Sequence, residues 1–410
     1  MKQKAFFAVI LTALILTASF LITHSITTSE TDQTPFYVGV TFCGNTTQQA
    51  KLLIDKVKNY TNLFVLQSWE ISNSESATTE ICDYATSQNL HIIVNLGVNW
   101  TYNRVWTWQH PWFQNAPQRY GNKFLGAYYD DEPAGIQLDY NWFNFFLNYS
   151  SHFQGRPEAS LLHQIFADLE KEMENIDRPE PKNYDTEAAW FQYIQENNQG
   201  RNSLQEAGIT TFTSDYLLYW FDYLGGFDVM LAQFGWNNTI TQEIALVRGA
   251  ANMQNKTWGT IITWKYTDPP YLANGEEIYN QLHTAYHSGA QYAVIFNYPQ
   301  IPSNPYGTLT EEHFEALQKI WSETQQNPRK TRETQAETAL VLPENYGWGM
   351  RTCEDTIWGF WGPDEKSPQI WENTQKLLTQ YGTNLDIIYE DPAYTPTNKY
   401  PKIYYWNQTI

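Results

Sequence analysis

Between Phe36 and Ser322 the chain repeats one pattern, a short run of β-branched and aromatic residues followed by a longer segment with apolar residues at helical spacing. Strands that alternate with helices cannot pair through tight hairpins. Each helix crosses back over the sheet and sets the next strand parallel to the last. The strand-like runs fall at 36–43, 62–68, 90–97, 123–129, 209–213, 227–234, 257–264 and 292–297. Helical segments fall at 46–58, 75–88, 241–253, 276–287 and 310–322. Eight such units in roughly 290 residues are the count and length of a closed (β/α)8 barrel. The rhythm breaks once, from Ala134 to Ala207. There Leu161, Leu162, Ile165, Phe166, Leu169 and Met173 recur at helical spacing, as does 188–194, which predicts a helical insertion after strand four, over or beside the barrel mouth.

The flanks differ from this pattern. Lys2 and Lys4 precede an apolar stretch from Ala5 to Ile22, which reads as a signal peptide or an uncleaved anchor over 1–22. A Ser/Thr-rich linker, 23–35, leads to the barrel, 36–323, and a polar linker, 324–337, leaves it. The remainder, 338–410, shows strand-like runs at 339–342, 385–389 and 402–406 around a helical segment at 368–381, a small C-terminal α/β domain. Export predicts an extracellular or cell-surface protein, with the N-terminal segment as its contact with membrane. Asn-x-Ser/Thr acceptors at Asn45, Asn59, Asn99, Asn148, Asn237, Asn255 and Asn407 agree with that. Outside the cell, Cys43 and Cys82 are expected to form a disulfide and leave Cys353 single.

Barrels of this kind carry their chemistry at the C-terminal ends of the strands. Strand four ends in Asp130, Asp131 and Glu132, and Pro133 then stops the pairing because it has no N–H to give. By alternation, Asp130 and Glu132 share one face and Asp131 takes the other. The other strand ends bring amides, indoles and further carboxylates: Gln67, Trp69 and Glu70; Asn95, Asn99 and Trp100; Asp215; Gln233 and Trp236; Trp264, Tyr266 and Asp268; Asn297 and Tyr298. Trp69, Trp100, Trp236 and Trp264 can serve as platforms for apolar sugar faces or as ordinary core.

Composition narrows the partner. A net charge of −19 argues against a phosphate-binding surface, which needs clustered Lys and Arg, so no nucleic acid is expected. Charged residues make up only 17% of the chain and aromatics 16%, a balance suited to neutral carbohydrate. No Gly-rich phosphate loop follows a strand, and neither the three cysteines nor the eight histidines are read as a metal cluster. No cofactor and no metal are expected, and a metal-dependent hydrolase barrel or a dinucleotide oxidoreductase fits less well.

The alternating chain and its strand-four Asp-x-Glu resemble the glycoside hydrolase (β/α)8 superfamily, over 36–322. In motif the likeness is closest to family 18, the chitinases and endo-β-N-acetylglucosaminidases, with Tyr128 standing where the first Asp of Asp-x-Asp-x-Glu would be. The resemblance implies a Glu132 acid and an Asp130 that orients the substrate's acetamido group as internal nucleophile. From the residues alone, the second carboxylate is Asp130, Asp215 or Asp268. A separation from Glu132 of roughly 5–5.5 Å would mean retention and roughly 6.5–9.5 Å inversion. Burial and a neighbouring charge are expected to raise the Glu132 pKa. The competing reading is a non-catalytic glycan-binding or cell-envelope protein on a degenerate barrel.

Overall fold

The computed structural model describes residues 35–96, 108–135, 184–196, 198–329, 336–355 and 363–410. The N-terminal apolar segment, most of the strand-four insertion and part of the 346–361 loop therefore lie outside the described residues. Among the described residues no helix is long and apolar enough to cross a membrane.

Strands β1 (Tyr37–Phe42), β2 (Leu63–Leu66), β3 (His91–Val94), β4 (Phe124–Tyr128), β5 (Thr211–Asp215), β6 (Val229–Phe234), β7 (Thr257–Ile262) and β8 (Tyr292–Ile295) form a closed ring in sequence order. Every neighbouring pair is parallel, and β1 against β8 closes the circle. The (β/α)8 barrel expected from the alternation is the fold. Helices cross between strands: α1 (Thr47–Val57), α2 (Glu75–Ser87), α3 (Gln109–Tyr120), α4 (Tyr184–Glu196), α5 (Gln199–Glu206), α6 (Tyr219–Leu224), α7 (Ile240–Gln254), α8 (Gly275–His287) and α9 (Glu311–Gln326). Their starts are written locally. Thr46 and Gln49 make a reciprocal capping box at α1, and the side chains of Ser74 and Asn274 accept backbone N–H bonds at the starts of α2 and α8.

Alternation divides the barrel side chains between two cores. Val65, Ile93, Tyr128, Phe212, Leu231, Ile261 and Val294 point inward and fill the barrel. Val40, Ala127, Met230, Ala232, Ile262 and Ile295 point outward and pack under the helices.

After α9 come β9 (Thr338–Leu342), α10 (Ser367–Tyr381), β10 (Leu385–Tyr389) and β11 (Lys402–Tyr405). The three strands are parallel, in the order β10-β9-β11. This sheet lies on α7, and its Leu340, Ile387 and Ile388 belong to the same hydrophobic core as the barrel helices. That is why α7 is buried almost all round. A Cβ on Gly249 would stand 2.4 Å from the Ile387 carbonyl oxygen, so only glycine permits the close approach. Beside it, fully buried Arg248 donates to Asp386 at 2.7 Å, and Asn252 and Tyr400 donate to the other Asp386 oxygen at 2.9 and 2.7 Å.

The expected disulfide is not formed: Cys43 and Cys82 are separate thiols. Cys82 is packed in the core on α2, whereas Cys43 follows β1 and faces Thr41 Oγ1 at 3.6 Å. The two residues belong to different layers of the barrel.

Candidate active site

The end of β4 departs from simple alternation. The ladder to β5 runs from Ala127 N to Thr210 O and from Tyr129 N to Phe212 O. The next bond goes from Glu132 N, not Asp131 N, to Ser214 O, at 2.8 Å. One extra residue has been inserted, as in a β-bulge. Asp130 (φ 64°) and Glu132 (φ 52°) take left-handed backbone to accommodate it. The insertion swaps the faces of the carboxylates. Asp131 joins inward-facing Tyr128, whose hydroxyl donates to Asp131 Oδ1 at 2.7 Å, and Asp130 does not enter the cavity. Asp130 instead accepts from the Asp131 backbone N–H at 2.9 Å. The expected Asp130–Glu132 pairing on one face is corrected to Asp131–Glu132.

These two carboxylates line a cavity of about 230 Å³ with Gln67, Tyr128, Ser214, Gln233, Trp236 and Trp264 among its walls. Ser214 Oγ donates to Asp131 Oδ1 at 2.9 Å, and Gln233 Nε2 donates to Glu132 Oε1 at 2.8 Å. An adjoining hollow of about 610 Å³ shares Gln67, Phe296 and Tyr298 with the first and adds Cys43, Trp69 and Glu70. The second volume lies within the roughly 300–1,000 Å³ of small-molecule clefts, and the first reaches it only together with the second. Trp236 stands in the first hollow with 47% of its surface exposed and Trp69 in the second with 61%. Trp264 lies edge-on to Trp236 and stacks on Tyr298, with centroids 5.9 Å apart in both pairs. Gln67 Oε1 and Thr263 Oγ1 are buried on these walls with no hydrogen-bond partner among the described residues. Buried polar atoms ordinarily have partners, so this wall is suited to a hydroxyl-bearing ligand.

The two carboxyls differ in environment. Desolvation, then the charges of Asp131 and Asp215, pushes Glu132 up to about 8, although the Gln233 bond and the Arg351 charge pull it down. Desolvation also raises Asp131, but the bonds from Tyr128 and Ser214 favour its ionised form. Glu132 can therefore hold a proton near neutral pH, beside a carboxylate whose two hydroxyl donors favour its ionised form.

The other expected residues are distributed as follows. Tyr128, Gln233, Trp236, Trp264 and Tyr298 line the first cavity, and Trp69 and Glu70 the second. Asp215 does not line either. Phe212 and Ser214 point inward, so Asp215 points out under the helices, where it accepts from Gly135 N at 2.8 Å and Tyr216 N at 2.7 Å. Its neighbour Asp222, on α6, accepts from Ala134 N at 3.0 Å, so both acids hold the segment that follows Glu132. Asp268 is exposed in a turn closed by Tyr271 N onto its carbonyl. Asn297 is also outward, accepting from the Thr308 backbone and hydroxyl at 2.8 and 3.0 Å. Asn95 extends the β2 pairing through its backbone, and Tyr266 stands exposed by Lys265; neither lines these cavities. Asn99 and Trp100 lie outside the described residues.

Sequence reasoning missed Asp131, Ser214, Thr263 and Phe296 as cavity residues. Counting alternation from inward Phe212 would have found Ser214. It also missed Arg351, from the loop after β9, which lies over the Tyr216 ring at 4.8 Å in an ion pair with Asp355 and carries positive charge toward Glu132. A further correction concerns the histidines. His283 and His287 stand four residues apart on α8, an H-x-x-x-H spacing, and converge with Glu323 of α9.

No family model matches the chain, and no curated protein matches it. Solved structures with a similar fold include several glycoside hydrolases. Alpha-L-fucosidase isoenzyme 2 from Paenibacillus thiaminolyticus is 11% identical, with a TM-score of 0.44 over 88% of this chain and 59% of that one. An endocellulase from Pyrococcus horikoshii is 9% identical, with a TM-score of 0.40 over 69% and 92%. A GH18 chitinase from Pseudoalteromonas aurantia is 10% identical, with a TM-score of 0.36 over 70% and 99%. A 3-hexulose-6-phosphate synthase is similar too, at a TM-score of 0.32. Hydrolases and synthases alike share the barrel, so the likeness distinguishes no chemistry.

Proposed function

We propose that this protein is a glycoside hydrolase in which Glu132 is the acid and Asp131 the assisting carboxylate. The observation that carries the reading is the pair itself: adjacent carboxyls in one aromatic-walled cavity, Glu132 desolvated enough to hold a proton near neutral pH and Asp131 held by two hydroxyl donors that favour its ionised form. Asp131 takes the part that the family resemblance implied for Asp130.

In this reading Glu132 gives its proton to the glycosidic oxygen as the bond to C1 breaks, and the leaving sugar departs as an alcohol. Asp131, fixed by Tyr128 and Ser214, accepts the N–H of a 2-acetamido group and directs its carbonyl oxygen to C1. Water then opens the resulting ring, with ionised Glu132 taking the water's proton. The substrate is thus an N-acetylated glycan, bound against Trp236 and Trp264. Gln67 supplies an acceptor for a sugar hydroxyl. The five acceptor asparagines within the described residues, Asn45, Asn59, Asn237, Asn255 and Asn407, are exposed, which supports the proposal that the protein works outside the cytoplasm.

The test is turnover of chitooligosaccharides, N-glycans and cellooligosaccharides by wild type, Glu132→Gln and Asp131→Asn. Hydrolysis of an N-acetylated substrate that both substitutions abolish supports the assignment. Equal turnover by wild type and Glu132→Gln removes it. Binding without hydrolysis by wild type favours the glycan-binding alternative.

A further inference from the structure

The second cluster of chemistry-bearing side chains is independent of the cavity. It lies where α8 and α9 pack against each other, at the opposite end of the barrel, since His287 closes α8 shortly before β8 begins at Tyr292. His283 and His287, one turn apart, present their rings on the same face of α8, with centroids 4.3 Å apart. Glu323 faces them from α9. Its Oε1 is 3.3 Å from His283 Nε2 and 2.9 Å from His287 Nε2. One ligand atom from each residue lies within 4.8 Å of the others.

We infer that His283, His287 and Glu323 form a binding site for a first-row transition-metal ion, of the class of Zn²⁺ or Cu²⁺. Donor atoms held about 2.0–2.1 Å from one ion stand about 2.9–3.4 Å from each other in octahedral or tetrahedral coordination. The two carboxylate–imidazole distances already lie in that range, and both histidines, partly exposed, can turn to close the third. Imidazole nitrogens with one carboxylate oxygen are the donor set such ions prefer, whereas Mg²⁺ and Ca²⁺ favour oxygen alone. The carboxylate is held in place: Tyr279 OH donates to Glu323 Oε2 at 2.8 Å, leaving Oε1 for the ion. Net charge of −19 adds a general attraction for cations.

A bound ion would clip the last two barrel helices at the point where the chain leaves for the C-terminal sheet. Arg329, just past α9, is tied there to Tyr286, its backbone N–H donating to the hydroxyl and Nη1 to the carbonyl, each at 2.8 Å. Solvent completes the coordination, so the site is a structural clip open to exchange.

The experiment uses the full chain without an affinity tag, with exposed Cys353 replaced by Ser throughout to remove a competing thiol. Zn²⁺ binding is measured by titration calorimetry and Cu²⁺ binding by electron paramagnetic resonance, on wild type, His283→Gln/His287→Gln and Glu323→Gln. One tight equivalent in wild type is expected, with nitrogen hyperfine structure from two imidazoles. The histidine double variant should bind at least tenfold more weakly, Glu323→Gln should weaken binding several-fold, and the wild-type melting temperature should rise with Zn²⁺ where the double variant's does not. No binding by wild type, or an affinity changed less than tenfold in the correctly folded double variant, overturns the site. Circular dichroism of both variants checks that folding is intact.

Discussion

Replacing Glu132 by Gln should make the protein more stable in alkali and less active at once, and the first effect needs no substrate to be seen. In the folded chain burial, with the neighbouring Asp131 and Asp215 charges, raises Glu132 from 4.5 to about 8. Below about pH 4.5 both the folded and the unfolded state hold the proton, and nothing rests on it. Between there and about pH 8 the unfolded state has lost its proton and the folded state keeps it. The folded state then binds more protons, so stability falls as pH rises. Above about 8 both states are ionised and the full cost of a buried carboxylate is present. At about 1.36 kcal/mol per pH unit the upper limit is ~5 kcal/mol. The cavity is open to water, whose screening reduces this to roughly 1–3 kcal/mol. Glu132→Gln removes the charge, keeps the shape and can still accept from Gln233. Urea unfolding at pH 4.5 should show wild type and variant alike, and at pH 9 the variant should be more stable by ~1–3 kcal/mol. Its turnover should drop about 10²- to 10⁴-fold, the ordinary worth of a general acid. Parallel stability curves across that range would refute the reasoning, because Glu132 would then be an ordinary solvated carboxylate with no proton to give at neutral pH.

Other substitutions probe the same site from different sides. Asp131→Asn removes a charge that helps hold the Glu132 proton, so the pH at which residual activity is lost in alkali should move down, read from the kcat/KM profile. Arg351→Gln removes a cation that pulls Glu132 down, and the same limb should move up. Trp236→Ala deletes an exposed platform and should raise KM about two- to tenfold with kcat little changed, in steady-state assays on oligosaccharides. Arg248→Met strands Asp386 as an uncompensated buried charge and should cost about 3–5 kcal/mol in denaturant unfolding.

The barrel was legible because its signal is periodic and repeated. Each strand run and each capped helix is a local pattern, and eight of them in order leave little freedom of topology. The site was legible only to the level of which strand ends matter. Tyr128, Gln233 and Tyr298 stand on the cavity wall because inward positions follow from period two. Asp215 and Asn297 were misjudged because the same period puts them outward, behind Ser214 and before Tyr298, and counting from a strand's end rather than its core hid that. The Arg351 contribution was out of reach, because nothing local to residues 346–355 says that their loop returns to the barrel rim. The Arg248–Asp386 pair is equally silent: its partners are 138 residues apart, and only the fold makes them neighbours.

The inserted residue at the end of β4 shows what the barrel does for the chemistry. Two non-glycine residues with left-handed backbone, Asp130 and Glu132, each cost about 1–3 kcal/mol and persist only where the surroundings over-determine them. Here they do. Thr213 Oγ1 donates to the Asp130 carbonyl at 3.1 Å, Glu132 N donates to Ser214 O at 2.8 Å, and Asp222 and Asp215 hold Ala134 N and Gly135 N just beyond. A regular strand would have turned Asp131 away from Glu132 by alternation. The bulge brings consecutive carboxyls into one cavity, an arrangement in which each raises the other's proton affinity and hydrogen bonding, added to desolvation, biases which is charged. Among the described residues Tyr128 and Ser214 donate to Asp131 while Gln233 donates to Glu132, so the proposed division of roles would follow from strand positions 128, 214 and 233 as much as from the acids themselves. Tyr128→Phe combined with Ser214→Ala should therefore blur that division, raising the Asp131 pKa and lowering that of Glu132. Carbon-13 NMR of the two side-chain carboxyls across pH would read it directly. Unchanged titration of both would mean that the hydrogen bonds do not set their charge.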